Sequence, residues 1–178
     1  MTSTLPEADA PASASPQGRR TPVLFVVAIG LLLVLLAVAA LIGALKLHEA
    51  SQRDDARAAA LAAARQEALN LTSIDGRDVD GDLKRVLDGA TGNFASDVKQ
   101  QSAQIKSVVV ENQAVSDVSV VDAALVRCDL QTATALVVIS GTLKNKAAPA
   151  GRPNSYRMQL DLERHGNRWL TSALQFVG

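Results

Sequence analysis

The sequence predicts an α+β domain that follows a single membrane-spanning helix. Three observations support this: an uncharged apolar stretch near the N-terminus, helical spacing of apolar residues after it, and a two-residue alternation from residue 107 onward. Apolar residues three and four apart indicate helices, whereas strict alternation indicates half-buried strands. Helices followed by consecutive strands are typical of folds in which helices cover one face of an antiparallel sheet.

The apolar stretch covers residues 23–45, which is 23 residues without a charged side chain. As a helix it is roughly 35 Å long, whereas a bilayer hydrocarbon core is about 30 Å thick. A cleaved signal peptide is the alternative, with Arg19 and Arg20 as its basic region and Ala-Val-Ala at 37–39 as its cleavage site. Signal cores have only about 7–15 apolar residues, so the length favours an uncleaved membrane helix over residues 22–46.

Residues 1–21 are predicted to form a disordered cytoplasmic tail, because Pro, Ala, Ser and Thr dominate and no apolar periodicity is present. Two arginines precede the span. Three basic residues follow it, namely Lys46, Arg53 and Arg57. The positive-inside rule does not decide the orientation on these counts. The closeness of the paired arginines to the span favours a cytoplasmic N-terminus.

The composition argues against a nucleic-acid partner. The chain has 18 basic and 18 acidic residues, and aromatic residues make up 3% of it, so it has no basic surplus for phosphates. Its one cysteine, Cys128, cannot form an intrachain disulfide, and its strand-like surroundings predict a small buried apolar residue.

Residues 47–71 are predicted to form an Ala-rich stalk helix, because good helix formers dominate and Gly and Pro are absent. Its second half is expected to pack on the domain through Leu61, Ala64, Ala68 and Leu71. Too few apolar heptads are present to predict a coiled coil.

Two further helices are predicted within the domain of residues 72–178. The first carries Leu83, Val86 and Leu87, and Asp78 or Asp80 is expected to cap its N-terminus. Thr91-Gly92-Asn93 ends it, and the second helix runs from about residue 94 to 106. The aspartates at 78–82 do not form an EF-hand loop, because that motif would require Gly at position 83 and Glu at position 89.

About four strands complete the predicted fold, at residues 114–127, 131–144, 155–165 and 168–177. In the third, alternate residues face the core: Tyr156, Met158, Leu160 and Leu162. Gly166-Asn167 predicts a tight turn into the fourth strand. The Pro- and Gly-containing segment 145–154 is expected to be an exposed, mobile loop. This order fits a nuclear-transport-factor-two-like (cystatin-like) cone, with helices on a curved antiparallel sheet.

The inventory of reactive residues does not predict an enzyme. No Ser-His-Asp, Cys-His or metal-spaced cluster is visible, so no catalytic, cofactor-binding or metal-binding residue is assigned. The candidates considered are His48 beside the span, His165 at a turn, Tyr156, and the aspartates Asp122, Asp129 and Asp161. Trp169 is expected to anchor the core.

A lipid-binding module is the third functional class considered. In that case the apolar strand residues Leu136, Val138, Leu160 and Leu174 would line a cavity under the sheet. Apolar alternation is first a signal of an ordinary core, which is the favoured interpretation.

Three segments resemble a known family. They are ARQEALNLTSID at 64–75, LKRVLDGATGNF at 83–94 and LERHGNRWLTSALQFV at 162–177. In this order, after one span, they resemble the Mce-associated membrane proteins of mycobacteria and related actinobacteria. Ile74 departs from that pattern, since an aromatic residue often follows the Leu-Thr-Ser element there.

The resemblance implies a non-enzymatic accessory subunit of an Mce-type lipid importer. It implies a plasma-membrane protein with a cytoplasmic N-terminus and a periplasmic domain, without a cofactor. The implied partners are Mce substrate-binding proteins, their permease subunits and related accessory subunits. The layout is similar to that of the bridging subunit of type IV secretion systems.

Overall fold

The computed structural model describes residues 21–178, so the predicted tail lies outside the described part except for Thr21. The chain forms two compact units, with the boundary between Leu47 and His48. The elements are α1 (Thr21–Thr72), α2 (Val79–Gly89), α3 (Gly92–Asn112), β1 (Val115–Cys128), β2 (Thr132–Asn145), β3 (Ala148–His165) and β4 (Arg168–Phe176).

The first unit contains the apolar part of α1. An 18-residue window of this helix has a mean hydropathy of 3.2 and no buried residues. Its large apolar side chains are exposed on every side, for example Phe25 at 68% and Leu41 at 62%. A helix that is apolar on all sides is stable in lipid, because its backbone hydrogen bonds are satisfied within the helix. This unit is consistent with a single-pass membrane anchor.

The second unit contains a four-stranded antiparallel sheet in the order β1-β2-β3-β4. All its connections are hairpins between neighbours. Gly166 opens the β3–β4 turn with a φ of 64°, which glycine adopts without strain. The predicted facing of β3 is confirmed: Met158, Leu160 and Leu162 are at most 1% exposed, and Tyr156 is half-buried against the core.

The prediction of a loop at residues 145–154 is wrong. Only Lys146 and Ala147 form the turn, and β3 already begins at Ala148. Pro153 pairs with Thr142 of β2, although proline cannot donate a ladder hydrogen bond. β4 pairs with β3 only from Met158 onward, so this half of β3 has a free edge. Proline is tolerated there because no neighbour needs its missing N–H.

Alanines of α1 lie against the inner face of the sheet. Ala60, Ala64 and Ala68 are each 0% exposed and belong to one cluster with the buried residues of β2, β3 and β4. Their small side chains are fully enclosed by these neighbours. Leu61 is half-buried beside this cluster, whereas Leu71 faces α2 and α3 instead.

Leu136 and Val138 of β2 do not face the core, contrary to their expected place under the sheet. Val137 and Ile139 point into the core, at 1% and 0% exposure, whereas Leu136 is 40% exposed on the opposite face. Val138 pairs with Arg157, whose side is also outward, so Leu136 and Val138 cannot line a cavity under the sheet. Residues 136–139 are all apolar, so the sequence does not indicate which alternate pair of β2 faces the core.

The two shorter helices follow the predicted order. Asp78 caps α2, since its Oδ1 accepts a hydrogen bond from the backbone N–H of Gly81 at 3.3 Å. α3 extends to Asn112, six residues beyond the predicted end, and stops where Gln113 adopts a left-handed φ of 50°. Trp169 is 7% exposed and joins the core, as predicted.

Candidate functional sites

A buried carboxyl group lies between α1 and α2. Glu67 is 3% exposed, and its Oε2 accepts a hydrogen bond from Asn70 Nδ2 at 3.1 Å. Its Oε1 is buried and has no hydrogen-bond partner in the described part of the chain. Gly89 lies directly against this carboxyl, since a Cβ at that position would collide with it. Burial raises the pKa of Glu67 to about 7, and the Asn70 hydrogen bond opposes this in part.

A cavity of about 230 Å³ adjoins Glu67. Helix α1 and the end of α2 form two of its walls, and the start of β4 supplies Arg168 and Trp169. Arg168 Nη2 donates a hydrogen bond to the backbone carbonyl of Asp88 at 2.5 Å, which ties β4 to α2. At neutral pH Glu67 can therefore hold or release a proton at the junction of three elements.

Glu67 was not among the residues singled out from the sequence. The helical spacing does indicate that Glu67 faces inward. Glu67 follows Ala60 by seven residues and Ala64 by three, which places it on the same inward-facing stripe of the helix. The signal was weak, since a single charge on an Ala-rich helix is normally at the surface.

The residues considered for catalysis do not converge. His48 is exposed and bonds to Gln52 at 2.9 Å, whereas His165 lies 3.5 Å from Thr91. Tyr156 accepts a hydrogen bond from Asn154 at 2.8 Å. Asp129 caps its own turn through the backbone N–H groups of residues 131 and 132. Within residues 21–178, no three His, Cys, Asp or Glu side chains cluster as metal ligands would.

Cys128 is half-buried rather than fully buried. It packs against the core cluster and lines an open cavity with Arg53 and Arg57 of α1. Burial raises the pKa of its thiol, although Arg57 opposes the change. A thiol with a raised pKa is less reactive, because the thiolate is the nucleophile.

The aspartates from the end of α1 into α2 have partners within the domain. Asp82 is buried, accepts a hydrogen bond from the backbone N–H of Asp75 at 2.7 Å and pairs with Arg85. Hydrogen bonds from Arg77 lower the pKa of Asp75 to about 2. These internal partners account for the acidic cluster without a cation.

The outer face of the sheet carries a polar ladder across three strands. Arg127 Nε donates to Thr134 Oγ1 at 2.8 Å, and Thr134 Oγ1 donates to Asp161 Oδ1 at 2.6 Å. Exposed apolar residues lie on or beside this ladder, including Leu136 at 40% and Val126 at 62%. These exposed apolar and polar side chains are available for contact with another protein.

Edge strand β1 borders this face. Its pairing with β2 is interrupted between Val120 and Asp122 and again between Leu125 and Arg127. Such bulges protect an exposed edge from unwanted strand pairing. The edge formed by β1 is therefore poorly suited to pairing with an added strand. Contacts on this side of the domain would be made by the side chains of the sheet's outer face.

Comparisons with known proteins place the chain in a family. The profile described as "Uncharacterized protein Rv1363c/MT1408-like" matches residues 21–178. The chain belongs to this family. It is 30% identical over 130 residues to "Uncharacterized protein Rv1363c" of Mycobacterium tuberculosis. The aligned residues make up 73% of this chain. The chain spans about half the length of that relative.

Solved structures share the fold at low identity. An IcmL-like type IV secretion system protein from Legionella pneumophila aligns with a TM-score of 0.55 at 15% identity, over 68% of this chain and 91% of that one. A ketosteroid isomerase-like protein from Erwinia carotovora aligns at 0.49 and 16% identity, over 68% of this chain and 96% of that one. The predicted α+β fold class, of the nuclear-transport-factor-two-like type, is confirmed.

Proposed function

We propose that this member of the family is a non-enzymatic accessory or assembly subunit of an Mce-type lipid import complex in the cell envelope. In this role it stabilises or bridges the Mce substrate-binding proteins and their permease subunits. Its single span anchors it in the plasma membrane with the N-terminus in the cytoplasm, and its α+β domain works on the periplasmic side.

The observation that carries the proposal is the combination of an apolar anchor helix with a domain whose interior is filled. In nuclear-transport-factor-two-like enzymes, chemistry would require an acid and a base in the cavity of the cone. Here Ala60, Ala64 and Ala68 of α1 close that space against fully buried side chains of the sheet. Such a domain offers its outer surface to other proteins rather than its interior to a substrate.

The mycobacterial family supports the cellular context. The relative at 30% identity comes from a mycobacterium, and the three sequence segments described above resemble Mce-associated proteins. Similarity to the secretion-system protein adds the fold alone, because the sequences are only 15% identical.

A lipid carrier with a cavity under the sheet is less well supported. Leu160 is 0% exposed within a packed core, and Leu136 and Val138 lie on the other face. A scaffold of a different envelope complex is the remaining alternative, and its subunits would be recovered in place of Mce proteins when partners are isolated.

Deletion with complementation tests the proposal. Deleting the gene is expected to lower the abundance of Mce and permease subunits and the uptake of lipid, and the wild-type chain should restore both. Glu67→Gln should restore them equally well, because an assembly role does not use the carboxyl group chemically. Unchanged abundance and uptake after deletion would refute the assembly role. Failure of a folded Glu67→Gln variant to complement would favour an enzyme.

A further inference from the structure

A second cavity lies among the three helices, on the side of the domain away from the sheet's outer ladder. It has a volume of about 240 Å³ and is lined by aliphatic side chains of all three helices. Leu71 comes from α1, Leu83 and Val86 come from α2, and Val98 and Ile105 come from α3. Four of these five are only half-buried.

The polar groups that reach this cavity already have partners. Asn70 donates to Glu67 and to the backbone carbonyl of Arg85, and it accepts from Gln66. Asp82 accepts from the Asp75 backbone and pairs with Arg85. The amide group of Asn70 and both carboxylate oxygens of Asp82 thus already have partners, and the rest of the lining is mainly aliphatic.

We propose that this cavity between α1, α2 and α3 binds an unbranched alkyl chain. An apolar cavity of about 150 Å³ lined by aliphatic and aromatic groups stays dry and takes up small hydrocarbons, and this cavity is larger. Each methylene group moved out of water into such a site adds favourable free energy. The same polypeptide carries a membrane-spanning helix, so lipid is the nearest source of alkyl chains.

An ion pair joins the two helices beside the cavity. Lys106 Nζ on α3 binds Asp80 Oδ2 on α2, and these residues adjoin the lining residues Ile105 and Val79. Both side chains are exposed, at 49% and 75%. This pair is polar and wet, so the head group of a bound amphiphile can remain in water beside it while the chain is buried.

This cavity is not the one considered above for a lipid carrier, which would lie under the sheet. It lies outside the packed core, and the proposal does not depend on the assembly role. An accessory subunit that binds no Mce protein could still hold an alkyl chain here, and an assembly subunit could leave the cavity empty.

Photolabelling of the full chain in detergent-free lipid nanodiscs tests the proposal. The probe is a fatty acid with a diazirine on its alkyl chain, present at trace amounts, and labelled sites are mapped after trypsin digestion. We expect saturable labelling of the peptide 86–99, which contains Val86 and Val98. Labelling of the span provides an internal standard, because it contacts bulk lipid in every variant.

Val98→Phe fills the cavity and is expected to reduce labelling of 86–99 about ten-fold, the loss expected from excluding two methylene groups. Val108→Phe on the exposed side of the same helix is the matched control and should label like the wild type. Leu83→Phe serves as a second filling variant if Val98→Phe does not fold.

Three results would overturn the proposal. The first is wild-type labelling of 86–99 that does not exceed labelling of the peptide 107–127, which carries exposed valines. The second is equal labelling in a folded filling variant and the control. The third is labelling of 86–99 in the wild type that an excess of unlabelled fatty acid does not reduce, which would point to non-specific surface contact.

Discussion

At the scale of single residues, the Glu67 carboxyl has the least favourable environment in the described part of the domain. It is 3% exposed, one oxygen has no partner, and the nearest donor is the neutral side chain of Asn70. Placing a carboxylate there costs free energy, which is why its pKa rises from 4.5 to about 7. The proton on Glu67 therefore affects how firmly α1 and α2 hold together.

The stability of the domain should fall as pH rises from 4.5 to 7. In this range the folded state holds one more proton at Glu67 than the unfolded state, so the free energy of unfolding decreases with rising pH. The full effect is about 3 kcal/mol above pH 7. Denaturation of the full chain, followed by the fluorescence of Trp169 in the core, measures this change.

Glu67→Gln should remove this pH dependence and stabilise the chain by up to about 3 kcal/mol at pH 8, while changing little at pH 4.5. Glu111→Gln, the same substitution at an exposed site on α3, is the matched control and should leave the profile unchanged. A profile that is equally steep in wild type and Glu67→Gln would show that another group is responsible.

Among the elements, helix α1 faces the sheet through alanines that are fully buried. A larger side chain at Ala64, which is 0% exposed, must push the helix away from the sheet or force strained rotamers. Ala64→Leu is expected to cost about 1–3 kcal/mol of stability, as overpacking typically does.

Ala62→Leu provides the comparison, because residue 62 is exposed on the opposite side of the same helix. It should change stability by less than about 0.5 kcal/mol. Chemical denaturation of both variants measures the difference. Equal effects would mean that α1 is not in tight contact with the sheet.

The outer face of the sheet is expected to contact partner subunits. Leu136→Arg puts a charge on its exposed apolar surface and should reduce co-isolation of partners about ten-fold, as loss of a central interface residue does. Stability should hardly change, since Leu136 is 40% exposed. Val108→Arg, at 47% exposure on α3, is the control, and equal losses in both variants would rule out this face as the specific contact.

The elements also show which parts of the fold could be predicted from the sequence. The strict alternation of apolar and polar residues in 156–163 predicts which side chains of β3 face the core. The Asp78 cap is predicted because aspartate commonly accepts hydrogen bonds at helix N-termini. The segment 145–154 was mistaken for a loop because its Pro and Gly content is typical of loops. Its proline is tolerated in β3 because β4 does not pair with that half of the strand, which the sequence does not reveal. The facing of β2 depends equally on packing, because 136–139 are all apolar.

The candidate sites were less predictable than the fold. The cavity among the helices depends on how three separate segments meet, and the sequence revealed only their apolar spacing. The buried Glu67 was missed because composition favours exposure for a charged residue, whereas its burial depends on Gly89 leaving room for it in a distant segment.

At the scale of the whole molecule, the chain combines an apolar helix with a compact α+β unit. The first unit is consistent with a single-pass membrane anchor, and the second presents an exposed sheet face and a packed interior. Membership of the Rv1363c/MT1408-like family, similarity to a protein of Mycobacterium tuberculosis and the layout together lead to the proposed role in envelope lipid import.

Affinity isolation of the full chain tests whether it associates with an Mce-type complex. The chain carries a tag on its N-terminal tail, membranes are solubilised gently, and co-isolated proteins are quantified by mass spectrometry against an untagged strain. We expect enrichment of Mce substrate-binding and permease subunits, with the enrichment lost in Leu136→Arg and kept in Val108→Arg. Recovery of a different envelope complex, or of no partner from membranes in which Mce proteins are abundant, would contradict it.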